Sequence, residues 1–203
     1  MIAISKRLAG LWPHGVCLLL ALLVASTPAR AADPATFIDQ LASKAIPVLT
    51  DSSLPKAERE AQFRRLMHEG FDVRQIAQLV TGRYWRQASE EQKQNLVKLL
   101  EDYLVQLYSA RFTEYANVSL QVNGSRPEAK GTLVHSTLVR PNAPPVSLDW
   151  RVEEADGRHI ITDLVVEGVS MVITQRSEFA SVIRQGGGQV QALIDVLRRK
   201  VGA

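Results

Sequence analysis

The chain has 203 residues with 24 basic and 21 acidic side chains, and its one cysteine, Cys17, lies near the N-terminus. Three of the basic residues and none of the acidic ones fall within residues 1–31, so the remaining chain carries 21 of each sign. This balance excludes an overall basic surface for nucleic acid. A chain without cysteine beyond residue 17 forms neither a disulfide nor a cysteine metal site.

The first 31 residues have the pattern of a signal peptide. Lys6 and Arg7 form a basic start, residues 16–24 are an unbroken apolar run, and an alanine on each side of Arg30 offers a cleavage site. The apolar run is too short to cross the roughly 30 Å core of a bilayer as a helix. We therefore predict export and a single domain over residues 32–203, with an uncleaved membrane anchor as the alternative.

The exported chain begins with helical periodicity. Apolar residues at helical spacing predict a first helix over residues 35–49, with a kink at Pro47. A second helix is predicted to open at about Ser52 and to stop at Gly70.

Two further helices complete the first half of the chain. A short helix is predicted over residues 71–80 and ends at Gly82. Ser89 and Gln92 have the spacing of a capping box, in which each side chain bonds the backbone of the other residue. This box opens the longest helix, which is predicted to run to about Tyr115.

From residue 118 onward the apolar period changes from about 3.6 to 2, which indicates strands. Four strands are predicted, at residues 118–123, 129–139, 146–153 and 160–166. A loop is predicted between Pro141 and Pro145, and Asp156 with Gly157 forms a hairpin turn.

The chain closes with two helices. The first is entered through a turn at residues 174–177, and glycines at 186–188 separate it from the second. This order predicts an α+β fold, with N-terminal helices, a curved four-stranded antiparallel sheet and C-terminal helices laid over one face of the sheet.

Candidate catalytic groups do not combine into a site. Ser170 follows Gly168, but Val172 stands where the nucleophile-elbow pattern needs its second glycine. The histidines beyond the leader show no metal-ligand spacing; they are His68, His135 and His159. We predict no catalytic residue, no metal and no cofactor.

Asp163 and Glu167 share one face of a predicted strand. Their positions lie about 13 Å apart along the strand, which is too far for a glycosidase pair. We interpret both as solvated charges on a sheet face.

Three ordered segments resemble a known family. The segments are Phe71-Asp72; Trp85-Arg86 before the capped helix; and Glu167-Gly168-Val169-Ser170-Met171 with Arg176-Ser177-Glu178-Phe179. They are similar to the MlaC-type family, to which toluene-tolerance auxiliary proteins belong. Its members are soluble carriers that move lipids across the periplasm of Gram-negative bacteria. The resemblance covers about residues 35–200.

The resemblance implies a soluble periplasmic carrier and not an enzyme. Such a carrier moves phospholipid between an outer-membrane lipoprotein complex and an inner-membrane ABC transporter with an MCE-domain subunit. It is the substrate-binding component of that system, supports outer-membrane lipid asymmetry, and is expected to be a monomer. Residues 83–87 and 172–177 are also similar to the hopanoid-associated HpnM-like branch, so phospholipid and hopanoid both stay open as cargo.

The resemblance also implies a hydrophobic cavity between sheet and helices. Predicted facing assigns one wall to the sheet residues Leu148, Trp150, Val152, Leu164 and Val166. It assigns the other wall to Tyr103, Leu107, Tyr108 and Phe112 of the long helix, with Val169, Met171 and Val172 near the mouth. Ordinary core packing against the sheet is the other interpretation of the long helix.

Two other classes of function are weighed against the carrier. A periplasmic chaperone or interaction module without lipid would have a solid core and a large exposed apolar groove. A small hydrolase or isomerase would need a buried polar cluster around His135.

Overall fold

A computed structural model describes residues 33–112 and 117–202, with the side chains of residues 110–112 excepted. The predicted signal peptide lies outside the described residues and stays a prediction. The helices are α1 (Pro34–Thr50), α2 (Lys56–Gly70), α3 (Val73–Thr81), α4 (Glu90–Phe112), α5 (Met171–Gln185) and α6 (Val190–Val201). A 3-10 helix over Gly82–Gln87, which the sequence did not indicate, links α3 to α4. In the described part of the chain, no helix is both long enough and apolar enough to cross a bilayer.

The sheet is antiparallel, and its strands lie side by side in chain order. The strands are β1 (Ser119–Pro127), β2 (Thr132–Arg140), β3 (Ala143–Ala155), β4 (Arg158–Val166) and β5 (Val169–Ser170). The α+β prediction is therefore confirmed, but the count of four strands is wrong, because the short β5 pairs with β4. The predicted loop at residues 141–145 is also too long, since β3 begins at Ala143.

Two tight turns shape the β4 end of the sheet. Asp156 and Gly157 both have positive φ, at 52° and 72°, and they join β3 to β4 at the predicted hairpin turn. Glu167 and Gly168 repeat this geometry, with φ of 49° and 79°, and return the chain into β5. Positive φ at both central residues suits a two-residue hairpin, because the turn then matches the twist of the strands.

The inner face of the sheet, defined as the face that α1 covers, carries regular rows of side chains. One row crosses all five strands; its members are Val122, Ser136, Leu148, Val166 and Val169. On its two sides lie the row Leu120, Leu138, Val146 and the row Val134, Trp150, Leu164. Ile38 and Leu41 of α1 pack on this face, against Val134, Val152 and Ile161.

The two edges of the sheet are formed differently. At one edge, β5 pairs with Val165 and Val166 of β4, and the backbone of Phe71 pairs in parallel with Ile161 of the same strand. At the opposite edge, β1 is irregular between Val122 and Gly124 and ends in Arg126 and Pro127.

The long helix α4 packs mainly against other helices and not against the sheet. One side of α4 presents Leu96, Leu99 and Leu100 to a cluster that includes Leu193 and Ile194 of α6. The opposite side presents Val105 to Met67 of α2 and Val73 of α3. The broad apolar stripe predicted on α4 is therefore two helix–helix contact faces, and packing against the sheet is not its main role.

The capping box before α4 is confirmed. The Ser89 amide donates to Gln92 Oε1 at 3.1 Å, and the Gln92 amide donates to Ser89 Oγ at 3.1 Å. The two side chains thus satisfy two backbone N–H groups that the helix itself leaves without partners.

We expect Ser89→Ala to lower the free energy of unfolding by about 1 kcal/mol, because an alanine cap offers no acceptor. Urea denaturation measures this loss. Ser43→Ala at an exposed position of α1 is the matched control, since alanine there raises helix propensity and removes no cap. Equal stability of the wild type and Ser89→Ala would contradict the prediction.

Candidate functional site

The three rows on the inner face of the sheet are apolar except for Ser136. Ser136 is buried and fully bonded: its hydroxyl donates to the Leu148 carbonyl at 3.0 Å and accepts from Trp150 Nε1 at 2.8 Å. This pair of bonds fixes the indole of Trp150 on the inner face. It also leaves these rows without a free polar group that could anchor a ligand.

The inner face divides into a packed half and a less packed half. The packed half contains Val134, Val152 and Ile161 under α1. Among the described residues, five other apolar side chains of the inner face belong to none of the buried clusters; they are Leu138, Val146, Leu148, Leu164 and Val166. From the centre of the five-strand row toward β5, the exposed fraction rises from 9% at Leu148 to 53% at Val169. The apolar surface is therefore open at its β5 end.

The open end is bordered by the mouth segment, residues 169–173, which runs from β5 into α5. Val169 and Ile173 are exposed to 53% and 68%, unusually far for large apolar side chains of the described region. Val172 is half-buried and packs against the helical cluster, the buried cluster that contains Leu96 of α4 and Leu193 of α6. Exposed aliphatic side chains beside an apolar face indicate a binding surface more than an ordinary protein surface.

The mouth segment is held to β4 by Asp163. This carboxylate is 8% exposed, accepts from Ser170 Oγ at 2.6 Å and from the Val172 amide at 3.0 Å, and pairs with Arg151 Nη1 at 2.6 Å. The interpretation of Asp163 as a solvated charge is therefore wrong, because Ser170, the first turn of α5 and Arg151 bond this carboxylate. Glu167 is exposed and accepts from the Ser147 amide.

Ser170 is the N-cap of α5. Its hydroxyl oxygen accepts from the Ile173 amide at 3.1 Å while its proton goes to Asp163. The helix consequently begins at Met171, earlier than the turn predicted at residues 174–177.

Arg151 links Asp163 to a second carboxylate. Its Nε lies 3.0 Å from Glu128 Oε2, and its Nη1 bonds Asp163. Burial acts to lower the pKa of Arg151, but the hydrogen bonds and charges of Glu128 and Asp163 outweigh it and raise that pKa above its ordinary value. The guanidinium thus stays charged and balances the buried carboxylate.

The histidines lie apart from this network. His135 Nδ1 lies 2.8 Å from Asp149 Oδ1 on the outer face of the sheet, and His68 Nε2 lies 3.2 Å from Glu101 on the helical side. Within the described ranges, no three histidine, cysteine or acidic side chains come together as metal ligands would.

The structure brings together the predicted sheet residues. Leu148, Trp150, Leu164 and Val166 share the inner face, beside the mouth residues Val169 and Met171. Val152 also lies on this face, but it is fully buried under α1.

The predicted residues of α4 differ in their surroundings. Tyr103 packs in the helical cluster, with Lys200 Nζ 5.1 Å from its ring centre. Tyr108 lies five positions further along α4, which places it about 140° around the helix from Tyr103. Leu107 is half-buried, and the side chain of Phe112 lies outside the described residues.

A cleft of about 300 Å³ lies between α1 and the start of β1. It is lined by Asp39, Ala42, Ser43, Ile46, Pro47, Val118, Ser119 and Leu120. Leu120 also belongs to the inner face, so the cleft borders the apolar rows at the β1 edge. This cleft was not predicted and differs from the expected cavity between α4 and the sheet.

Comparison with known proteins gives three concordant findings. The family model described as MlaC protein matches residues 39–199. The toluene tolerance protein ttg2D of Pseudomonas putida is 23% identical over 118 residues, which are 58% of this chain and 55% of that protein. The chain thus spans about half the length of this relative.

A solved structure shares the fold. A phospholipid-binding protein from Ralstonia solanacearum, in complex with a phospholipid, superimposes with a TM-score of 0.74 at 22% identity. The match covers 84% of this chain and 98% of that protein. The family model matches most of the chain, and the ordered sequence segments and the helices before and after the antiparallel sheet agree with that match. The chain therefore belongs to the MlaC family.

Proposed function

We propose that this chain is a periplasmic carrier that binds phospholipid on the inner face of its sheet. The observation that carries the proposal is the apolar row across five strands, which is buried at its centre and open at Val169. Membership of the MlaC family supports the proposal, as does the phospholipid in the structure that shares the fold.

The energetics of an apolar site suit a carrier. Burying acyl chains is favourable by about 0.8 kcal/mol per methylene, so two chains of about 15 methylenes each gain on the order of 24 kcal/mol against water. A bilayer provides nearly the same gain, so transfer between membrane and protein is close to balanced. A strong polar anchor would disturb that balance, and in these rows the one polar side chain, Ser136, is already satisfied.

The proposed partners follow from the family. We propose that the carrier is the substrate-binding component of an ABC-type lipid transport system. It receives or delivers lipid at an inner-membrane transporter with an MCE-domain subunit and at an outer-membrane lipoprotein complex. It travels between them as a monomer, exported by its N-terminal segment.

Mass spectrometry of the protein purified from a Gram-negative host tests the proposal. The intact protein is measured first under native conditions, and the bound molecules are then identified after solvent extraction. We expect a stoichiometric phospholipid. A hopanoid in its place would change the cargo class, and a protein that stays lipid-free after incubation with phospholipid liposomes would contradict the carrier function.

A further inference from the structure

The mouth segment is attached to the sheet from the face opposite to the one it borders. Val169 is paired with Val166 and extends the inner face, whereas Ser170 is paired with Val165 and points to the outer face. Asp163 lies on that outer face, where it holds Ser170 Oγ and the Val172 amide. One carboxylate therefore positions the apolar mouth without contacting the inner face.

Two backbone amides in the first turn of α5 are occupied by side chains of this chain. The Val172 N–H is taken by Asp163, and the Ile173 N–H is taken by Ser170. A negative charge at a helix N-terminus is favourable, and here a buried side chain supplies it. A lipid phosphate is thus not needed to stabilise the first turn of α5.

The carboxylate is itself fixed. Arg151 holds Asp163 from one side and is held by Glu128 from the other. Asp163 is nearly buried. Its loss leaves Arg151 with one acidic partner, Glu128, and leaves the first turn of α5 without its link to β4.

We infer that Asp163 is a positioning residue that sets how fast lipid leaves the carrier, through the hydrogen bonds that hold the mouth segment against β4. The inference rests on the proposed function. With Asp163 in place, Val169 and Ile173 border the open end of the apolar row in one arrangement, and lipid passes them slowly. Without it, the segment moves more freely and lipid passes faster, although the inner face that holds the acyl chains is unchanged.

The test measures release of pyrene-labelled phosphatidylcholine from the loaded protein to vesicles of phosphatidylcholine and phosphatidylglycerol. We expect Asp163→Asn to release lipid about tenfold faster, the factor that corresponds to one charge-assisted hydrogen bond, with the same stoichiometry at saturation. Ser170→Ala removes one of the two bonds to the mouth segment and keeps the test possible if Asp163→Asn does not fold. It should accelerate release in the same direction.

Two controls separate positioning from general destabilisation. Asp149→Asn makes the same chemical change on the outer face, where the partner is His135 and not the mouth segment. Ile194→Val loosens the helical cluster by packing alone. Both should release lipid at the wild-type rate below their melting temperatures. Wild-type rates in Asp163→Asn and Ser170→Ala, or equal acceleration in the controls, would overturn the inference and leave the carrier function standing. A wild-type protein that loads no lipid would contradict both the inference and the carrier function.

Discussion

Gly131→Ala is expected to lower the free energy of unfolding by about 3 kcal/mol, from two effects that act together. Gly131 lies between β1 and β2 with φ of +74°, a conformation that L-residues adopt at a cost. A Cβ at this position would lie 2.1 Å from the carbonyl oxygen of Val152. That oxygen is backbone of the central strand β3, so the clash is relieved only by moving the hairpin away from the sheet.

Gly157→Ala is the matched control for this prediction. Gly157 has nearly the same φ, +72°, and also lies in a hairpin turn, but a Cβ there meets no atom within 4 Å. Its substitution should cost only the conformational term, about 1–2 kcal/mol. Urea denaturation of both variants measures the difference. If the two losses were equal, close approach to Val152 would not be the reason for glycine at position 131.

Val166→Trp is expected to remove most of the bound phospholipid while the protein stays folded. Val166 is half-buried on the inner face, next to the open end at Val169, so a larger ring has room to project over the row. There it occupies space that acyl chains would use. When acyl chains fill the site, the added ring overpacks it, which costs about 1–3 kcal/mol and weakens binding roughly 5- to 150-fold. Lipid extracted per mole of protein measures the loss.

Gln121→Trp places the same side chain on the other face of the sheet. Gln121 is exposed and lies between Leu120 and Val122 in β1, so its side chain points away from the inner face. This variant should copurify with as much lipid as the wild type. If Val166→Trp also retained full lipid, the cargo would lie elsewhere than on the inner face.

Elements with a clear period could be predicted from the sequence, and elements set by distant contacts could not. The Ser89–Gln92 box and the Asp156–Gly157 turn are local, and the structure confirms both. Strand β5 is too short to show a period of 2. The start of α5 depends on Asp163, a residue that lies outside the helix and bonds its first turn.

In the candidate site, too, local features could be predicted from the sequence and features set by distant contacts could not. Alternation along β3 and β4 predicted that Trp150 and Leu164 share a face, because strand parity is a local property. It could not show that the first turn of α5 bonds Asp163, so it predicts a solvated carboxylate at this position. The apolar stripe of α4 was ambiguous because it is wide enough to serve two helix contacts at once. Ser136, a lone polar residue at an inner-face position, is the sequence signal for the hydrogen bond that fixes Trp150.

The edges of the sheet bear on how the protein behaves at high concentration. An unpaired strand edge is a template on which a second chain can add a strand. When the sheet also has an apolar face, such association leads to aggregation. Here Phe71 and β5 pair along β4, while the bulge after Val122, together with Arg126 and Pro127, interrupts β1. Within the described residues, the sheet thus exposes an apolar surface at its open end without offering a regular edge for aggregation.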